Sequence, residues 1–454
     1  MIASLLLYLV SAGLLVFFVY AALASYREKE YLAFRRFLFP GLLVPLSFMS
    51  LSLIGASALL SYGLVGFLLL AVGLFFLPGS GRDGGEGIRP RGKIDERDTM
   101  FSREKLEKGT ERYREYYHRH PECQAGDDAL RQNPGLLSEQ SAYYRRDIFT
   151  AARANFDLIE KNRPFVNGEA APDKQPVDPQ LFSRYLKELL VKYGAVSAGI
   201  TPLQDYHLYS HRGRPHNYGE PVRNRHDYAL ALTVEMDHDF VRNAPYGLAV
   251  LESSRQYLRS GMLALSVAEM IRDLGYPARA HIDGEYEVVC PLVARDAGLG
   301  EIGRMGLLMT PELGPRVRIA VVTTSMPLVP DERKEDPTMI DFCTRCKKCA
   351  EVCPSRAIPF DDRRRINGVL RWQIDQQACF TTWTKFGTDC ARCMSVCPYS
   401  HPDNPLHDVV RYGIKNSAPF RKLALKMDDF AYGRKPRPLR LPEWYAPQGR
   451  QKMV

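Results

Sequence analysis

Ten cysteines occur in the sequence, and eight of them fall between Cys343 and Cys397. Cys343, Cys346, Cys349 and Cys353, followed by Pro354, form a C-x2-C-x2-C-x3-C-P run. Three thiolates at this spacing let a loop wind round one face of an iron–sulfur cube, and in two-cluster ferredoxins the fourth cysteine ligates the other cluster. A second set repeats the pattern with a longer first gap: Cys379, then Cys390, Cys393 and Cys397 before Pro398. Crossed ligation assigns one [4Fe–4S] cluster to Cys343, Cys346, Cys349 and Cys397. The other takes Cys353, Cys379, Cys390 and Cys393. Soft thiolates in this number favour iron–sulfur over hard cations. Zinc also accepts C-x2-C pairs, but it has no need of a doubled C-x3-C-P. Disulfides do not suit a reducing cytoplasm. Two clusters make an electron wire, and its terminus belongs in the rest of the chain.

Other candidate residues carry weaker signals. Gly298-Leu299-Gly300-Glu301-Ile302-Gly303 has the G-x-G-x-x-G spacing, but it follows no convincing strand and opens no clear helix, so alone it reads as a glycine-rich turn. His207 and His211 stand four apart, a spacing met more often at a surface or core edge than at a metal. Cys123 and Cys290 are isolated and read as inert.

The elements that must hold these residues are partly visible. At 454 residues the chain has room for two or three domains. Residues 181–193 have helical periodicity, with Leu181, Tyr185, Leu186, Leu189 and Leu190 on one face. Residues 260–274 do too, through Met262, Leu265, Ser266, Met270 and Leu274, and Gly275 follows as a C-terminal cap. Residues 228–234 and 317–323 read as strands. The mixture predicts an α/β or α+β core at 101–335. A ferredoxin-like module follows at 336–400, then a Pro- and Arg-rich tail at 401–454 that wraps the surface.

Residues 2–25 and 37–81 contain no charged side chain. About 20 apolar residues cross a bilayer, so the first stretch fits one span and the second two, with Ser61-Tyr62-Gly63 as the turn between them. This predicts a three-helix anchor at 1–80 and a Gly/Arg-rich linker at 81–100. A cleaved signal peptide fits poorly, because a second apolar block follows closely. A twin-arginine signal at Arg35-Arg36 is disfavoured by the span in front of it. Arg27, Lys29, Arg35 and Arg36 flank the first span, and Arg82, Arg89, Arg91, Lys93 and Arg97 follow the third. The positive-inside rule puts both groups, and the large C-terminal region, in the cytoplasm. The net charge of +9 is partly explained by these flanks and is not read as nucleic-acid binding.

Several blocks resemble the reductive dehalogenase family. They are AGLGEIGRMGLLMTPELGPRVRIA between Asp296 and Val321; YYHRHPE, DD and PGL between Tyr116 and Leu136; YSHRGR from Tyr209; VEMD from Val234; and DDFAYGRK from Asp428. They agree in order over nearly the whole soluble part. Epoxyqueuosine reductases share the GLG loop and the clusters, but generally lack the GPR continuation and the early HPE…DD…PGL block. The resemblance implies a nitroreductase-like core holding a base-off corrinoid beside the first cluster. Gly298, Leu299, Gly300 and Glu301 would lie against it, since glycine lets backbone approach a ligand closely. It also implies a proton-donating tyrosine before a helix and a basic residue in the strand region that follows. Tyr257 and Arg316 match those positions best. A guanidinium would stabilise the phenolate and ease proton loss from a group whose ordinary pKa is near 10, and arginine stays charged when desolvated. The expected activity is reduction of carbon–halogen bonds of an organohalide at the inner membrane. The electron donor would be a ferredoxin, a flavoprotein or the quinol pool. The alternatives are an epoxyqueuosine-reductase-like enzyme and a membrane-bound electron-transfer protein without corrinoid.

Overall fold

The computed structural model describes residues 2–53, 58–75 and 89–440. The chain divides into two compact units: residues 1–84, 337–348 and 401–439 form the first, and 85–336, 349–400 and 440–454 the second. Residues 81–88 of the linker expected at 81–100, and residues 441–454 of the expected tail, lie outside the described residues.

The first unit begins with three helices, α1 (Ile2–Arg27), α2 (Tyr31–Leu53) and α3 (Ala58–Phe75). The expectation of three spans is corrected here. Among the described residues two helices, Ser4–Arg27 and Tyr31–Leu53, are long and apolar enough to cross a membrane. α3 has 18 residues, roughly 27 Å at 1.5 Å per residue, against a hydrocarbon core of about 30 Å. Ser61, Tyr62 and Gly63 lie inside α3 rather than in a turn. α2 tolerates Pro40 and Pro45, and the Ser11 hydroxyl donates to the Pro45 carbonyl at 2.8 Å.

The corner between α1 and α2 is locked by a buried carboxylate. Glu28 accepts from Asn404 Nδ2 at 2.7 Å and His407 Nε2 at 3.0 Å. Burial pushes the Glu28 carboxyl up, but the hydrogen bond and charge of His407 outweigh it and hold it below the usual range. Residues expected in a surface tail thus form two helices of this unit, Pro405–Asn416 and Ala418–Tyr432.

The second unit is built on a four-stranded antiparallel sheet, ordered β1 (Ser197–Pro202), β2 (Tyr228–Glu235), β6 (Val317–Thr324) and β3 (Ala278–His281), while β4 (Glu301–Ile302) and β5 (Leu308–Met309) pair with each other alone. The architecture is therefore α+β. Strand side chains alternate between faces, and both faces are covered. Leu230, Leu232, Val234, Ala320 and Val322 pack with the long helix Gly247–Asp273. Ala229, Ala231 and Val321 pack with the short helix Cys290–Asp296. The long helix begins thirteen residues before the expected start at 260. Its first two turns, 247–254, have no exposed residue and so no stripe for periodicity to detect; from Arg255 on an exposed stripe runs through Arg259, Met262, Ser266, Glu269 and Asp273, so Met262, expected on the apolar side, is exposed and Leu263 buried. The Pro179–Lys192 helix buries Leu186 and Leu190, whereas Leu181 and Tyr185 are exposed.

Candidate active site and iron–sulfur ligands

Cys353, Cys379, Cys390 and Cys393 all lie in the second unit as free thiols. Cys379 sits on the Gln376–Phe386 helix, which Asp375 caps by accepting from Ala378 N at 2.9 Å. Gly387 ends that helix with φ of 77°. Cys390 and Ala391 then adopt left-handed φ values of 57° and 50°, a conformation that costs non-glycine residues free energy and gathers at functional sites. Burial pushes the Cys379 thiol up to about 11, with Cys353 adding to it, and the Cys390 thiol up to about 12, with Cys379 adding. Buried thiols close enough to raise one another suit a shared cluster, whose positive iron stabilises the thiolates. The donor set therefore fits the second assigned [4Fe–4S] cluster. For the other, Cys343 and Cys346 lie on the Pro337–Cys346 helix of the first unit, and Cys349 and Cys397 lie in the second; all four are buried.

Within the second unit a cavity of about 300 Å³ opens among Phe101, Tyr257, Tyr286, Asp283, Leu308 and Arg318. Tyr257 lies inside the Gly247–Asp273 helix, not before it. The expected pairing with Arg316 is not formed. Arg316 precedes β6, is fully buried, and donates to Ser400 O at 2.9 Å, Glu235 Oε1 at 2.6 Å and Met236 O. Arg318 takes that place, with its guanidinium 4.9 Å from the centre of the Tyr257 ring. Burial raises the Tyr257 phenol above its ordinary value, and Arg318 pulls the other way. Arg318 in turn donates to Ser253 Oγ at 2.5 Å and pairs with Asp389 at 3.0 Å. Asp389 immediately precedes Cys390, so one carboxylate joins the cavity wall to the Cys390 loop. Arg318 Nε is buried without a hydrogen-bond partner among the described residues.

Asp283 enters the cavity from the turn after β3. Burial raises its carboxyl despite the Arg214 cation. Arg214 also lines the cavity, its Nε 3.0 Å from Glu96. Neither Asp283 nor Arg318 was among the residues expected from sequence. Arg318 had a legible signal: it is the one charge in β6, and charged residues are rarely buried unless paired.

The GLGE loop closes the Cys290–Asp296 helix. Gly298 has φ of 80°, and Gly300 lies where a Cβ would meet Met309 O at 2.1 Å. Leu299 packs into the core beside β1. Glu301 is buried, bound to Arg333 at 3.0 Å and to Asp336 N at 3.1 Å. His207 is buried against Asp296, while His211 faces Ser210 and Asp95, so the two make no common site. Cys290 reaches the cavity wall, where burial pushes its thiol up, as suits an inert group.

A free-standing set of clustered cysteines joined to an α+β cavity defines an iron–sulfur redox protein, and residues 342–401 match the model of the 4Fe-4S dicluster domain. Over 222 residues, 47% of the chain, it is 36% identical to the tetrachloroethene reductive dehalogenase of Sulfurospirillum multivorans, covering 44% of that protein. It is 33% identical over 193 residues to the tetrachloroethene reductive dehalogenase of Desulfitobacterium hafniense, 40% of the chain and 34% of the relative. An epoxyqueuosine reductase of Synechococcus sp. (strain CC9605) is 33% identical over 122 residues, 25% of the chain and 36% of the relative. A variant of the catabolic reductive dehalogenase NpRdhA superposes with a TM-score of 0.59 at 26% identity, over 68% of this chain and 46% of that one. The same protein in complex with 3-bromo-4-hydroxybenzoic acid gives 0.62 at 21% identity, over 80% and 50%, a likeness of fold. The chain is thus a homologue of the reductive dehalogenases, with epoxyqueuosine reductases as further relatives. It spans less than half the length of the curated relatives it matches.

Proposed function

We propose that the chain is a membrane-anchored reductive dehalogenase that removes halide from an organohalide, with electrons delivered through two [4Fe–4S] clusters. The observation that carries this reading is Tyr257 against Arg318 in a cavity tied through Asp389 to the Cys390 loop. A solved relative is described in terms of B12-dependent dehalogenation. The residues here fit a corrinoid: Leu307, Leu308, Val317 and Ile319 offer an apolar wall, and the buried Arg318 Nε is a donor to spare. In the GLGE loop only the backbone of Gly298 and Gly300 remains a candidate to touch it, since Leu299 and Glu301 are engaged elsewhere. When bound, the corrinoid supplies the low-valent cobalt that reduces the carbon–halogen bond; the hard chemistry is the cofactor's.

The protein's own part is proton delivery and exclusion of water. Tyr257 keeps its proton at Oη because burial raises its pKa, and so it is charged with a proton whenever substrate arrives. Arg318 stabilises the phenolate left after transfer, the role expected of Arg316, and Asp389 holds the guanidinium in place. Phe101 and Tyr286 present aromatic walls to the substrate.

For the anchor, α1 and α2 lie in the inner membrane as an apolar hairpin, with the basic Arg27–Arg36 corner at its surface. His407 and Asn404 are fastened to Glu28 at that corner, which puts residues 401–432 on the same side. The donor is a cytoplasmic ferredoxin or flavoprotein, or the quinol pool.

Protein purified without oxygen and supplied with corrinoid tests the reading. It releases halide from 3-bromo-4-hydroxybenzoic acid or tetrachloroethene when given a low-potential reductant. Fully loaded protein that releases none from any organohalide, or protein holding stoichiometric zinc, overturns it.

A further inference from the structure

The Ala418–Tyr432 helix presents an outer face that its own unit leaves uncovered. Ser417 caps it by accepting from Phe420 N at 3.2 Å. Its inner face is fixed: Phe420, Arg421, Ala424 and Ala431 are buried, and Arg421 binds Asp341 at 2.8 Å and Ile414 O at 2.9 Å. On the outer face Leu423 is 51% exposed, Met427 37% and Phe430 54%. Their spacing of four and then three residues puts them on one stripe of a helix. Lys422 and Lys426 are exposed beside that stripe. The acidic residues of the helix point elsewhere: Asp428 and Asp429 both pair with Lys348.

The depth of this stripe is set within the same unit. The helix packs on α2 and α3. Arg36 of α2 lies with its guanidinium 5.5 Å from the centre of the Phe430 ring and donates to the Phe430 carbonyl. Arg36 is the last charged residue before the uncharged run 37–81. Phe430 therefore sits at the level where charge gives way to apolar sequence. Arg35, also exposed, stands at that level.

We propose that the Ala418–Tyr432 helix lies in the plane of the membrane surface, with Leu423, Met427 and Phe430 sunk to the acyl boundary and Lys422, Lys426 and Arg35 at the lipid phosphates. An apolar stripe edged by lysines is the pattern of an interfacial helix. Long basic side chains bury their stems and keep their heads among the headgroups. The charges on this face are all positive, so the occupant is a lipid surface bearing anionic headgroups. The inference rests on the reading of α1 and α2 as membrane spans, and the test separates the two.

The full chain is reconstituted into vesicles of phosphatidylcholine and phosphatidylglycerol as wild type, Phe430→Trp and Leu423→Trp. Flotation after a carbonate wash reads the spans. The emission each variant adds over wild type is then measured with acyl-brominated lipids and with aqueous iodide. Strong quenching by shallow bromines, weak quenching by iodide, and a blue-shifted maximum are expected for both variants. Lys422→Glu with Lys426→Glu is expected to weaken the bromine quenching in phosphatidylglycerol vesicles but not the flotation. A chain that does not float overturns the spans. A chain that floats while both variants are quenched by iodide and not by bromine overturns the interfacial helix alone.

Discussion

Tyr257 and Arg318 meet because the long helix Gly247–Asp273 packs on β6, and the strand's single charge lies over the Tyr257 ring. Removing only the phenolic proton donor separates chemistry from packing. Tyr257→Phe should retain iron and cobalt yet lose roughly 10²-fold in turnover, the usual weight of one acid–base group. Arg318→Lys should also slow turnover, since a point charge on a flexible stem does not reproduce the planar fork, and the two losses should fall short of additive because they act on one proton transfer. Arg316→Lys should behave differently. Its Nε and Nη1 donate to Glu235 and two backbone carbonyls, so its melting temperature should drop while turnover per cofactor-loaded molecule holds. Steady-state rates normalised to cobalt, with thermal melts alongside, check all three; wild-type turnover in Tyr257→Phe would move the proton donor elsewhere.

At the scale of elements, the Cys290–Asp296 helix is held to the 205–207 turn by one carboxylate. Asp296 accepts from His207 Nε2 at 2.9 Å, Tyr206 Oη at 2.7 Å and Arg295 Nε at 2.8 Å. Burial pushes its carboxyl up, but His207 and Arg295 outweigh this and hold it well below the usual range. A depressed folded pKa means stability that is present in full above the unfolded value of about 3.9 and is lost as pH falls through the folded one. Asp296→Asn should therefore cost about 3 kcal/mol near neutrality, and the gap to wild type should narrow as pH drops below about 4. Circular-dichroism melts over that range check it; a gap that stays constant would show that the carboxylate's charge is not what holds the helix.

For the whole molecule, eight cysteines in two crossed sets predict about eight irons per chain. Cys390→Ser should reduce this to about four and remove one paramagnetic signal while leaving the other. Loss of both clusters together would show that the sets are not independent. The side of the membrane on which residues 401–432 lie is read by a reporter fused after Val454: a signal only in its cytoplasmic form is expected, and activity of a periplasm-only reporter would overturn that side.

Local chemistry in the sequence was enough for some of this. The proposed cysteine ligands are read from spacing, because a cluster imposes its geometry on a short stretch of chain. Strands at 228–234 and 317–323 were visible because β-branched runs have few other uses, and the apolar helices because an uncharged run of 24 residues has few. The partner of Tyr257 was decided by tertiary structure. Arg316 and Arg318 differ by two positions, and only the start of β6 and the carbonyls of Met236 and Ser400 determine which guanidinium is consumed and which faces the cavity. The start of the long helix was hidden for a related reason: residues 247–254 are covered on every side, and without an exposed stripe they lack the periodicity that marks a half-exposed helix. The break between α2 and α3 was misread as Ser61-Tyr62-Gly63, because composition counts apolar residues and does not say where an uncharged run bends. The role of residues 405–432 was decided by contact as well. Their helices became part of the first unit through Glu28, almost four hundred residues away in sequence, and no local pattern encodes that distance.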